Sequence, residues 1–112
     1  MAFPRSGFKS VEREGRKFTV YYVEFENAVF GFFFEGKNRR VGTVALATPK
    51  TSLTMASSTL IIGHKNANIA RILAENLASR FRKIAFSSVF IYRENDIHTN
   101  RILLELSNSL GE

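Results

Sequence analysis

Residues 29–34 read Val29-Phe30-Gly31-Phe32-Phe33-Phe34, and this run admits few folds. Successive side chains of a strand alternate between the two faces of a sheet. One parity of the run carries Phe30, Phe32 and Phe34, while the other carries Val29 and Phe33. The segment before it repeats the property, with Phe18, Val20 and Tyr22 on one side and Tyr21, Val23 and Phe25 on the other; Leu60-Ile61-Ile62 does so again. An antiparallel sheet with one wet face should alternate cleanly between apolar and polar residues. These strands do not, so each face of their sheet needs a cover.

The rest of the chain supplies a cover for one face. Strands are predicted over residues 8–13, 17–25, 29–35, 41–48 and 54–62, each rich in β-branched or aromatic residues and separated by turn residues. Gly36-Lys37-Asn38 has the composition of a hairpin tip, and short strands joined by tight turns imply an antiparallel meander. After Gly63 the period changes. Ile69, Ala70, Leu73, Leu77 and Phe81 repeat at helical spacing, with Asn66 or Asn68 placed to cap the first turn. Residues 84–92 give a sixth strand. Asn95 or Asp96 then caps a second helix whose buried stripe is Ile102, Leu103, Leu106 and Leu110, with Gly111 at its end.

The expected architecture is therefore α+β: a six-stranded antiparallel sheet with two helices on one face, in the order βββββαβα. At 112 residues it suits a single domain spanning 1–112, with residues 1–7 able to remain disordered. Two helices hide one face only. Either a second such sheet stacks on the other, making a dimer with the helices outside and Phe30, Phe32 and Phe34 in its interface, or the sheet curls and closes on its own second face.

Little in the sequence speaks for catalysis. There is no cysteine, which excludes disulfides, thiolate metal sites and cysteine nucleophiles and fits a reducing compartment. His64 and His98 are isolated from each other and form no metal-binding pair, and Asp96 is better explained as a helix cap. No nucleophile elbow, phosphate loop or dinucleotide fingerprint occurs. The expectation is a binding protein without enzymatic activity, metal or cofactor. The chain begins without the apolar run of a signal peptide and has no apolar stretch long enough to span a membrane, so it reads as cytoplasmic.

A formal charge of +6 asks for a partner, and nucleic acid, anionic lipid and an acidic protein surface would all be attracted. Most of the basic residues are dispersed among glutamates, as on an ordinary solvated surface. The exception is Lys37, Arg39 and Arg40, which crowd the expected hairpin tip beside the phenylalanine-rich strand. They are the candidate partner contacts, for an acidic protein surface or, alternatively, for RNA or single-stranded DNA through phosphate pairing and base stacking. The ordered glycines and aromatics of an RNA-recognition signature are missing.

One resemblance bears on the choice. Gly42-Thr43-Val44-Ala45-Leu46-Ala47, Ser57-Ser58-Thr59-Leu60-Ile61-Ile62-Gly63, Ala70-Arg71-Ile72-Leu73-Ala74, Val89-Phe90-Ile91-Tyr92 and the segment 95–106 together resemble the small proteasome-assembly chaperones. The likeness covers roughly residues 28–110 and consists of apolar positions around a glycine, with no catalytic signature. It implies a non-enzymatic chaperone that pairs with itself or with a paralogue. It also implies that the dimer binds α-type subunits of the 20S proteasome and helps the α-ring assemble. The family carries no motif that assigns contact residues, and the basic N-terminal strands and charged tip lie outside the resemblance.

Overall fold

The computed structural model describes residues 2–110, so Gly111 and its expected role at the end of the second helix lie outside the described residues. The elements run β1 (Arg5–Arg13), β2 (Arg16–Glu24), β3 (Ala28–Glu35), β4 (Thr43–Thr48), β5 (Ser57–Ile62), α1 (Ala67–Phe81), β6 (Ile84–Phe90) and α2 (Ile97–Asn108). This is the expected order. β1 begins at Arg5, three residues ahead of expectation, and β5 begins at Ser57, three residues later.

The pairing corrects the meander. The six strands lie in the order β1-β2-β3-β6-β4-β5, and β3 pairs with β6 in parallel, so the sheet is mixed and mostly antiparallel. β3 and β4 are not neighbours, and residues 36–42 are not a hairpin tip. They form a bridge that passes over the carboxyl end of β6. β6 earns the central place because it is apolar on both parities, with Ala85 and Val89 on one side and Phe86 and Phe90 on the other. Glycines hold the bridge close: a Cβ at Gly36 would lie 2.3 Å from the Tyr92 hydroxyl, and one at Gly42 would lie 2.0 Å from the Val89 carbonyl oxygen.

Both helices pack on the same face. α1 covers β4, β5 and β6 and touches β3, while α2 lies over β1 and β2. The buried stripe of α1 is Ile69, Ala70, Leu73, Ala74, Leu77 and Ala78, and that of α2 contains Thr99, Ile102, Leu103 and Leu106. Beneath them lie Phe18, Val20, Val29, Phe33, Ala45, Ala85 and Val89, completing one continuous core. Burying an aliphatic or aromatic side chain of this kind contributes about 1.5–3 kcal/mol.

The two candidate caps behave differently. Asp96 accepts from the backbone N–H of Thr99 and closes the first turn of α2. Asn66 sits at the start of α1 in a left-handed conformation but makes no cap bond. Its amide instead donates to the Arg93 carbonyl and accepts from the Asn95 N–H, tying the start of α1 to the segment after β6.

Candidate interaction surface

The face opposite the helices is apolar and open. Strand register places Phe8, Tyr21, Phe32, Ser88, Val44 and Ile62 in one row across all six strands. The next row holds Ser6, Val23, Phe30, Phe86, Leu46 and Thr59. Among the described residues no element covers these rows, and the sheet does not close, since β1 and β5 stand at its two ends. Phe8 is 63% exposed and Ile62 is 55% exposed.

The aromatic side chains support one another along this face. Phe30 and Phe86 stack with centroids 4.5 Å apart and planes 4° from parallel. Phe25 meets Phe30 edge-on at 5.9 Å, and Phe8 meets Tyr21 at 5.4 Å. Such pairs are worth about 0.5–1.5 kcal/mol beyond their burial. Between Phe30, Phe32, Phe86 and Val44 the surface dips over Ser88 into an almost wholly apolar depression of about 180 Å³. The expected trio is thus split. Phe30 and Phe32 are half-buried on the open face, whereas Phe34 is only 7% exposed.

Arg39 is what covers Phe34. Its guanidinium lies 5.2 Å from the Phe34 ring and 5.7 Å from the Tyr21 ring, steered by hydrogen bonds from Nη1 to the Gly36 and Asn38 carbonyls. The bridge between β3 and β4 therefore separates the three basic candidates. Arg39 turns onto the aromatic face, Arg40 lines a crevice beyond the ends of β4, β5 and β6, and Lys37 is exposed. In the crevice Arg40 meets His64 and Lys65, which follow β5. Sequence reading missed the last two as contacts, because only the β4–β5 pairing brings position 64 next to position 40.

Elsewhere several basic groups meet carboxylates. Arg16 makes two hydrogen bonds to the Glu35 carboxylate, at 2.9 and 3.0 Å, and the backbone N–H of Tyr92 donates to the same group at 3.0 Å. Burial alone would raise the Glu35 carboxyl, but the Arg16 and Tyr92 hydrogen bonds and the Arg16 charge outweigh it and hold it below the usual range. The Glu35 hydrogen bond in turn raises the Arg16 guanidinium. The Thr99 hydrogen bonds hold the Asp96 carboxyl low. At the other end of the sheet Glu24 joins Arg5 at 2.7 Å and Lys83 at 2.6 Å. His98 stands beside Glu14 at 3.7 Å, whereas His64 lines the crevice with Arg40. Among the described residues no helix is long and apolar enough to cross a membrane.

No family model matches this sequence, and no curated protein matches it. Among solved structures, the fold is similar to that of a chain in the crystal structure of a novel chaperone complex for yeast 20S proteasome assembly. The two superpose with a TM-score of 0.65 over 95% of this chain and 91% of that one, at 11% sequence identity. At that identity the likeness is one of fold.

Proposed function

We propose that this chain is a non-enzymatic assembly chaperone of the cytoplasm, nearest in type to proteasome assembly chaperone 4. It works as a dimer that holds an α-type subunit of the 20S proteasome during α-ring assembly. The observation that carries this reading is the open face: two mainly aromatic and aliphatic rows cross the sheet, with helices on the far side only. Apolar patches of that extent on a folded protein mark interfaces. A second copy, or a paralogue with the same fold, brings a matching sheet, and the two would bury each other's aromatics. The fold shared with a chain of a proteasome-assembly chaperone complex supports the choice of client.

The exposed basic residues Lys37, Arg39 and Arg40 lie at one end of the sheet and are the contacts proposed for the client. The test is affinity capture at low salt from a lysate of the source organism, followed by identification of what co-elutes. Recovery of a proteasome α-type subunit is expected. Its absence, combined with salt-dependent capture of RNA or single-stranded DNA, would replace this reading with a nucleic-acid-binding module.

A further inference from the structure

The crevice that Arg40 shares with His64 and Lys65 encloses about 330 Å³ beyond the ends of β4, β5 and β6. We propose that it receives a carboxylate of an acidic, partly apolar peptide segment of the protein partner. This inference rests on the reading that the partner is a protein, and it adds the chemistry by which that partner is recognised.

Three observations carry it. First, no aspartate or glutamate lines the crevice. The partly buried cations Arg16 and Lys83 each meet a carboxylate of this chain, and so does Arg5. Arg40 and His64 have no hydrogen bond or ion pair among the described residues, so the Arg40 charge and the His64 ring nitrogens are left for an outside group. Second, the walls are tethered and closely packed. Lys65 is held at both ends, its Nζ donating to the Tyr92 carbonyl at 3.0 Å and its own carbonyl accepting from the Thr43 hydroxyl. Gly42 and Gly63 admit no side chain: a Cβ at 63 would lie 2.8 Å from the Thr43 hydroxyl oxygen. Preorganised donors lose little freedom when a ligand arrives.

Third, the lining carries a group of aliphatic residues. Val41 is 63% exposed at the rim, with Val89 and Ile91 behind it. Such a wall suits an aliphatic side chain beside the carboxylate. A single-stranded nucleic acid needs a series of rings on which successive bases stack, and the crevice offers Phe90 alone. A charge-matched rim contact of this kind chooses among partners more than it adds affinity.

The test is fluorescence anisotropy with a labelled octapeptide of alternating leucine and glutamate, and with the same peptide carrying glutamine for glutamate. The proteins are the wild type, Arg40→Glu, Lys65→Glu and Lys50→Glu; the last makes an equal charge change at the far end of β4. The wild type should bind the glutamate peptide, and bind it at least tenfold more tightly than the glutamine peptide. Arg40→Glu and Lys65→Glu should each lose at least tenfold, and Lys50→Glu should lose little. No binding by the wild type would overturn the proposal, as would an equal loss in Lys50→Glu. So would tighter binding of a deoxythymidine decamer that Arg40→Glu removes, which would assign the crevice to nucleic acid. Capture of the α-type subunit at wild-type level by Arg40→Glu and Lys65→Glu would overturn the crevice and spare the proteasome reading. Peptide binding without any α-subunit capture would uphold the crevice and remove the proteasome reading.

Discussion

Gly31 lies directly beneath Leu77. A Cβ built at position 31 would stand 2.7 Å from Leu77 Cδ1, so α1 rests against the sheet at a place where β3 has no side chain. Leu77 is fully buried, so its terminal methyls would have to shift within a packed core to admit the extra carbon. Gly31→Ala should therefore destabilise the fold by about 1–3 kcal/mol, the usual cost of overpacking. Leu77→Ala alone should cost about 2–5 kcal/mol. In urea denaturation the double variant should be less destabilised than the two single losses added together, because the smaller residue at 77 makes room for the methyl at 31.

Glu35 contributes stability that depends on pH in a definite direction. Its carboxyl is held below the ordinary 4.5 in the folded protein. A depressed carboxyl stabilises the fold fully above its unfolded-state value and loses that contribution as pH falls through the lower folded value. Glu35→Gln strips Arg16 of its carboxylate at a site where the pair is mostly buried, and should cost about 3 kcal/mol at neutral pH. The gap between wild type and variant, read from urea midpoints, should stay constant from about pH 6 to pH 8, narrow once pH falls below the ordinary 4.5, and close as pH passes through the lower folded value.

Asn66 joins two segments and holds a left-handed backbone, with φ at 61°. Asn66→Ala removes both side-chain bonds, leaves the Asn95 N–H without its partner, and adds strain at a positive φ. A loss of about 2–4 kcal/mol is expected in thermal or urea unfolding. Asn66→Gly removes the same bonds without the strain and should recover about 1 kcal/mol of that loss. Equal losses in the two variants would show that conformation contributes nothing.

The open face should govern association. Sedimentation at low micromolar concentration is expected to give a dimer for the wild type. Phe30→Glu or Phe86→Glu places a charge in the stacked pair and should yield a folded monomer, since both rings are half-exposed and neither belongs to the core beneath the helices. A monomeric wild type would remove the dimer.

Arg39 and Lys37 should differ although they are two residues apart. Arg39→Ala uncovers Phe34 and forfeits contacts with two rings, which should cost about 1 kcal/mol. Lys37→Ala should leave the unfolding midpoint within error, as exposed surface substitutions do.

Much of the fold was legible because period and composition are local properties. Ile69, Leu73 and Leu77 announce α1 by their spacing, and Asp96 announces the start of α2 by its chemistry. The double-sided character of residues 29–34 is also a local fact, and the structure keeps both consequences: Val29 and Phe33 face the helices, while Phe30 and Phe32 face outward. The order of the strands was not legible. Pairing between neighbours in sequence is the cheapest assumption, and it puts Gly36-Lys37-Asn38 at the tip of a hairpin. The apolar character of β6 on both sides had equal weight in the sequence, but nothing local says where such a strand will be inserted.

The amino-acid sequence by itself determined the elements, the faces they bury, and the surplus of apolar surface that asks for a companion, because each follows from the alternation or spacing of neighbouring side chains. Only the tertiary structure decided that β6 separates β3 from β4, and with it the fates of Arg39 and Arg40. Strand order is set by which long-range contacts bury the most surface. A bridge stretched across β6 then sends one arginine onto the aromatic face and the next into a crevice with His64 and Lys65.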